Sequence, residues 1–277
     1  MDTRHAAIGP SRHAERLDRL AEAAIRVGLN LARDQELVIT APMDAAPLVR
    51  RVTEHAYRAG ASLVTTFFAD DESRLARFRH APDRSFDVAA GWLADGIAAA
   101  FRQGAARMAI SGENPTLLAD QDPDKVARVN RANSAANRPS LELITQFHVN
   151  WTIVASATPA WARTVFPALP EAEAVERLWD AIFRASRIDG ADPVADWTAH
   201  NRELAARSRL LNERNFAALH FHGPGTDLEV GLADGHLWAG GAEHARNGIL
   251  CNPNIPTEEV FTTPHRLRVE GSVRSTK

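Results

Sequence analysis

Two adjacent carboxylates near the end of the chain have the types and spacing to do chemistry. Glu258 and Glu259 follow Pro256, whose ring fixes its own φ, and precede the β-branched and aromatic pair Val260-Phe261. Stiff backbone holds acids in fixed positions, which suits metal ligands. In an extended segment, Glu259 is predicted to share a face with Phe261 and Glu258 with Val260. One of the two acids is therefore expected to face a given cavity.

One carboxylate does not make a metal centre, because two-metal hydrolases use several ligands around ions about 3.5–4 Å apart. His220 and His222 share a face of a predicted strand, a spacing that suits a metal. We favour the simpler interpretation, a half-buried histidine hydrogen-bonded to backbone. His244 and Cys251 resemble one half of a zinc site, but a second His or Cys pair is lacking.

Length and composition predict an ordinary globular protein. Of the 277 residues, 45% are hydrophobic and 24% charged, and the formal net charge is −3. The negative net charge and the lack of a basic run interleaved with aromatic residues disfavour nucleic acid as a partner. The first five residues lack the apolar core of a signal peptide, and no apolar run reaches about 18 residues, so membrane spanning is disfavoured. With Cys251 as the sole cysteine, a cytoplasmic location is predicted.

The positioning elements begin with an alternation of strands and helices. Glu36–Pro42 is a short apolar strand, Asp44 is predicted to cap a helix that Gly60 ends, and Ser62–Ala69 is a second strand. This βαβ unit predicts a parallel sheet with flanking helices, an open α/β fold. Further predicted helices are Ala14–Leu29, Phe86–Phe101 and Pro123–Asn137, and further strands are Arg107–Ser111 and Asn150–Ser156.

The pattern changes after Pro159 to two amphipathic helices and then to β structure. The sequence predicts an α/β domain over residues 1–192, and a linking helix with an incomplete β-rich domain over residues 193–277. Asp234-Gly235 is a strong hairpin signal because type I′ turns need positive φ at both central residues. The predicted helices are Glu171–Ser186 and Asp196–Asn212; the strands are Ala217–His222, Asp227–Leu232, His236–Ala239 and His265–Thr276.

Several segments carry a resemblance to a known family. Asn254–His265, with Gly223–Leu228 and Val230–Leu232, resembles the metallo-aminopeptidases of the aminopeptidase T type, peptidase family M29. The resemblance runs in order through nearly all of the chain. Further matching segments are Leu29–Leu31, Tyr57–Ala61, Ser111–Pro115, Trp151–Trp161, Leu178-Trp179, and Asp192-Pro193 with Trp197 and His200.

The resemblance implies a homodimeric exopeptidase that removes N-terminal residues from peptides with two divalent ions, Zn, Co, Mn or Mg. It implies an N-terminal α/β domain and a C-terminal domain that carries the metals. The family's first ligand is the glutamate before Val-Phe, which is Glu259 here, with Glu258 as the alternative. Such ions lower the pKa of a bridging water and polarise the scissile carbonyl, while a carboxylate transfers the proton. Glu259 would be ligand or base.

The chain also departs from the family pattern. The family's other ligands are a second glutamate, a histidine and a His-x-Asp pair, accompanied by a catalytic tyrosine, and all follow the strand that ends this chain. The only tyrosine is Tyr57, in a predicted N-terminal helix. We therefore expect an N-terminal portion of a longer enzyme without a complete two-metal centre. The alternative is a catalytically inactive α/β binding or dimerisation module; a nucleotide site is disfavoured because no Gly-x-Gly-x-x-Gly or P-loop occurs.

Overall fold

A computed structural model describes residues 12–273. Within them, contacts divide the chain into two units. The first runs to Asp196 and includes the returning segment Glu243–Pro256, and the second comprises Trp197–Ala242 and resumes at Thr257. No helix in this part of the chain combines the length and apolar character that crossing a bilayer requires.

The predicted α/β class is confirmed. The helices of the described residues are α1 (Arg12–Ala23), α2 (Ala46–Ala59), α3 (Asp71–His80), α4 (Gly91–Arg102), α5 (Pro123–Thr145), α6 (Pro159–Val165), α7 (Glu171–Ala185) and α8 (Pro193–Arg214). The strands are β1 (Glu36–Pro42), β2 (Leu63–Ala69), β3 (Ala106–Ser111), β4 (Trp151–Ala155), β5 (Ala218–Gly223), β6 (Thr226–Leu232), β7 (Glu243–His244), β8 (Leu250–Cys251), β9 (Asn254–Ile255) and β10 (Pro264–Val273).

The first unit is built on a five-stranded parallel sheet with the order β2-β1-β3-β4-β9. The interior strand β1 is an almost continuous buried run from Leu37 onward, as expected of a strand covered on both faces. One cluster of the core includes Val38, Phe101 and Ile144. The sheet and helices therefore follow from the strand and helix alternation of the sequence.

Local capping explains where the early helices end. α1 continues into a π-helical turn over Ala24–Leu29, which ends at Asn30 in the left-handed region. Gly60 ends α2 with φ 99°, as predicted, because a residue without a Cβ adopts this conformation freely. The predicted capping role of Asp44 is wrong: Met43–Ala45 forms a 3-10 turn, and α2 begins beyond it without a side-chain cap.

The predicted helix Phe86–Phe101 is wrong at its start. Asp83–Asp87 is a 3-10 turn, Val88 is extended, and α4 begins only at Gly91. Phe86 is fully buried beside Phe78 and Val129, so its apolar character serves this separate cluster and not the face of α4. Helix α3 was not predicted, because its face is mostly charged.

The second unit contains an antiparallel sheet with the order β10-β6-β5. β5 and β6 form a hairpin in which Gly223 pairs with Thr226. The predicted hairpin at Asp234-Gly235 is wrong. Gly235 has φ 71° but Asp234 does not have positive φ, and the free edge of β6 pairs with β10 instead of with residues 236–239. Strand β10, which is distant in sequence, therefore pairs with β6 in place of residues 236–239.

Candidate functional site

The segment with the two glutamates is fixed by backbone pairing on its C-terminal side. Phe261 and Ala239 exchange two hydrogen bonds, of 2.8 and 3.0 Å between N and O. Thr262 Oγ1 donates to the carbonyl of Leu237 over 2.8 Å. Leu237 and Ala239 thus both hydrogen-bond to residues that follow the glutamates. The acids, which precede Val260-Phe261, therefore lie next to an anchored point of the chain.

His200 fixes the other side of the same segment. Its side chain, on α8, is 5% exposed, and Nε2 lies 2.7 Å from the carbonyl oxygen of Thr257. A carbonyl only accepts, so Nε2 carries the proton and donates it. The ring of fully buried Trp197 packs edge-on against the imidazole at 5.6 Å between centroids. Helix α8 thus holds the residue that directly precedes the acids.

The glutamates themselves are exposed to solvent. Glu259 Oε2 accepts a hydrogen bond of 2.9 Å from the backbone N–H of Glu258. Glu258 Oε2 lies 3.7 Å from His200 Nε2, beyond hydrogen-bond range. Residues 257–260 are not in a strand, and only Phe261 is bridged, so strand pairing does not fix which face each acid takes. Within the pair, the hydrogen bond from the backbone N–H of Glu258 orients the Glu259 carboxylate.

A close backbone contact at Gly240 also supports the segment that carries the two glutamates. A Cβ built on Gly240 would lie 2.6 Å from the carbonyl oxygen of Glu259 and 3.0 Å from the Cα of Val260. Real side chains do not tolerate such a distance to backbone, so the approach of these two chain segments depends on glycine. The carbonyl of Glu259 therefore packs directly against the backbone at Gly240.

Comparison with known proteins decides the family. The family model of thermophilic metalloproteases (M29) matches residues 13–277. The chain belongs to family M29. It is 57% identical to aminopeptidase T of Thermus thermophilus over 261 residues, which cover 94% of this chain and 64% of that protein. It is 41% identical to aminopeptidase 2 of Geobacillus stearothermophilus, over 96% of this chain and 65% of that protein.

Solved structures agree with the sequence comparison. The fold matches wild-type AmpT from Thermus thermophilus with a TM-score of 0.89 and 56% identity, covering 95% of this chain and 65% of that chain. The M29 chain described here therefore spans about 64% of the length of the curated relatives it matches.

The donor atoms of the described residues form no set of three potential metal ligands around the glutamates. Across residues 12–273, one set of three potential ligands lies close together, and it is His220, His222 and Asp227. Neither Glu258 nor Glu259 belongs to it. In this part of the chain, the glutamate segment therefore supplies at most one or two carboxylates, fewer than a dinuclear site requires.

The other candidate metal ligands of the sequence are histidines and one cysteine. His220 is exposed and its Nε2 lies 2.6 Å from Asp227 Oδ1, so the expectation of a half-buried histidine bonded to backbone is wrong. Cys251 is a buried free thiol, and burial raises its pKa. Cys251 pairs with Glu243 and His244 pairs with Leu250, so the side chains of Cys251 and His244 project from opposite faces of the β7–β8 pair, which argues against a shared zinc site.

The sequence patterns did not predict the role of His200. The helical spacing of Trp197 and His200 indicated a buried face of α8 but not which backbone group that face meets. The hydrogen bond to Thr257 joins residues 57 positions apart, and no local pattern encodes such a pair.

Proposed function

We propose that this chain is part of a metal-dependent aminopeptidase and that Glu259 is one of the carboxylate ligands of a pair of divalent ions. The observation that carries the proposal is the anchoring of the Glu258-Glu259 segment, by His200 on one side and by the Ala239–Phe261 bridge on the other. M29 membership supports a metal-dependent peptidase. The substrate would be a peptide with a free N-terminus, and Zn, Co, Mn or Mg would serve as the ion.

The choice of Glu259 over Glu258 rests on side-chain restraint. The Glu259 carboxylate accepts a backbone hydrogen bond from its neighbour, which narrows its orientations, and the residue remains exposed to solvent. Glu258 turns toward the buried imidazole of His200. A bound divalent ion would supply an activated water and polarise a carbonyl. The described residues restrain a carboxylate for such an ion, and the remaining ligands would come from elsewhere.

Peptidase assays test the proposal with a chimera. The chain is joined to the part of Thermus thermophilus aminopeptidase T that it does not match, and hydrolysis of a leucine anilide is measured with added cobalt, zinc or manganese. Glu259→Gln is expected to lower activity by at least about 100-fold. Glu203→Gln, on the exposed face of α8, is the matched control and should retain activity. A greater loss with Glu258→Gln would transfer the ligand role to that residue.

A second candidate function is a binding or dimerisation module without catalysis. It is favoured by one observation, the lack of any three-ligand set around Glu258 or Glu259 in residues 12–273. This candidate predicts that the 277-residue chain shows no metal-dependent hydrolysis by itself and that the chimera is equally inactive. Metal-dependent turnover by the 277-residue chain would contradict both the module and the expectation that ligands are missing.

We further propose a cytoplasmic homodimer. The buried free thiol of Cys251 supports a reducing compartment, and the resemblance to M29 aminopeptidases supports the dimer. Light scattering on a sizing column, at several concentrations, gives the mass of the assembled chain directly. A mass equal to one chain at every concentration would exclude the dimer for this polypeptide.

A further inference from the structure

The β5–β6 hairpin brings two histidines and one carboxylate together on one face of the second unit's sheet. His220 and His222 are two positions apart on β5, and Asp227 pairs with His222 across the ladder. The Nε2 of His220 lies 2.6 Å from Asp227 Oδ1, and the Nδ1 of His222 lies 4.0 Å from the same oxygen. The three ligand atoms lie within 4.8 Å of one another.

These distances suit zinc. With metal–ligand bonds of about 2.0–2.1 Å and tetrahedral angles, ligand atoms lie roughly 3.3 Å apart. The two observed separations, 2.6 and 4.0 Å, bracket that value. All three side chains are more than half exposed, so small rotations bring them to one ion without disturbing the core. Three protein ligands leave a fourth position for water.

The charges on the same face also favour a cation. Glu229 pairs with His220 across the ladder, and Glu270 of β10 pairs with Glu229. Directly opposite residues in an antiparallel sheet project from the same face, so two carboxylates oppose each other beside the histidines. Like charges in this arrangement are destabilising. A divalent ion bound next to them would relieve that repulsion.

From this geometry we propose that His220, His222 and Asp227 bind a zinc ion. His220 coordinates through Nε2, whose proton, donated to Asp227 in the metal-free state, is then carried by Nδ1. His222 coordinates through Nδ1, and Asp227 supplies one carboxylate oxygen. The ion links β5 to β6 and stabilises the hairpin. The site shares no residue with the glutamate segment and does not depend on the function proposed above.

Calorimetric titration of the full 277-residue chain with zinc chloride tests the site. The wild-type chain is expected to bind one zinc ion per chain through these ligands. Three variants, His220→Ala, His222→Ala and Asp227→Asn, should each weaken zinc binding by at least about 100-fold. Because all three residues are exposed, circular dichroism should show an unchanged fold in each variant.

Two control variants separate this site from other sources of zinc affinity. His80→Ala removes an exposed histidine on α3 that belongs to no three-ligand set in the described residues, and it should leave the affinity unchanged. Glu203→Gln removes an exposed carboxylate of α8 outside both proposed sites and should also leave the affinity unchanged, so its result does not depend on the peptidase proposal. X-ray absorption at the zinc edge should show two imidazoles in the first shell. Unchanged affinity in His220→Ala or His222→Ala, or a zinc ion without imidazole ligands, would overturn the proposal.

Discussion

His200 is a buried polar side chain whose main partner is a backbone carbonyl. Removing the imidazole leaves the oxygen of Thr257 without its donor in a site where both residues are nearly inaccessible. We expect His200→Ala to lower the free energy of unfolding by about 1–3 kcal/mol, since an unsatisfied buried acceptor is destabilising by that amount. Urea unfolding, followed by circular dichroism, measures the loss.

Two further variants show whether the hydrogen bond is responsible. His200→Gln keeps a side-chain N–H donor of similar reach and should recover part of the loss. The exposed variant His80→Ala should not change the unfolding midpoint. An equal loss in the alanine and glutamine variants would assign the role of His200 to packing against Trp197 alone.

Gly240 offers a second prediction at the same scale. A Cβ at this position would lie 2.6 Å from the carbonyl oxygen of Glu259, so Gly240→Ala must push the two backbone segments apart. We expect the variant to be destabilised by about 1–3 kcal/mol, the range for overpacked sites. Gly223→Ala, in open space in the same unit, is the matched control and should be nearly neutral in thermal unfolding.

For single residues, the sequence indicated the two acids but not the residues that hold them in place. Glu258 and Glu259 stand out because proline, two carboxylates and a β-branched residue are consecutive in the chain. The contacts of His200 and Gly240 join residues far apart in sequence, and their partners are backbone carbonyls, which every residue has. Composition and spacing carry no information about such partners.

Among the elements, the 3-10 turn Asp83–Asp87 is joined to α5 by one arginine. Arg128 donates to Asp83 at 2.8 Å and to Asp87 at 2.5 Å, and these hydrogen bonds lower the pKa of both carboxyl groups. A lowered folded-state pKa contributes stability that is present above the unfolded pKa, about 3.9, and is lost as pH falls through the folded value. The link therefore stabilises the fold at neutral pH and fails in acid.

Arg128→Gln tests this dependence. The difference in unfolding free energy between the wild-type chain and the variant should be constant from neutral pH to about pH 5 and shrink below about pH 4. Arg138→Gln, which removes a solvated i,i+4 pair with Glu142 on the same helix, is the matched control and should show little difference. Chemical denaturation at a series of pH values provides the comparison. A difference that persists in acid would mean that Arg128 acts through its contact with Phe86.

Element type followed from the sequence wherever strand and helix alternated with clear end signals, as in β1, α2 and β2. Helix α3 was missed because its face is mostly charged, and two further differences from the prediction depend on distant contacts. Strand β9 has two residues, too few for any periodicity, and its pairing with β4 is a distant contact. The Asp234-Gly235 signal predicted a local hairpin, but β6 gains more ladder hydrogen bonds from the longer β10.

At the scale of the whole molecule, the first unit is assembled from two stretches separated by 46 residues, Trp197–Ala242. The returning segment closes the sheet edge at β4 and buries Cys251 and Ile255 almost completely. Its backbone meets the first stretch directly: Asn252 donates to the carbonyl of Gly28 at 2.8 Å. The amide of Asn247 donates to buried Asn150 at 3.1 Å. The first stretch alone therefore lacks both a strand and polar partners.

This dependence predicts how fragments behave. A fragment of residues 12–196 followed by a long glycine-serine linker and residues 243–256 should be more stable than residues 12–196 alone. The gain should be at least about 2 kcal/mol, the contribution of burying a side chain such as Ile255, because edge pairing and the bond to Asn150 add to it. The same linker with the segment in reversed order keeps composition but loses register, so it should give no gain. Urea unfolding of the three fragments decides the matter, since equal midpoints would mean that the first stretch folds without the return of the chain.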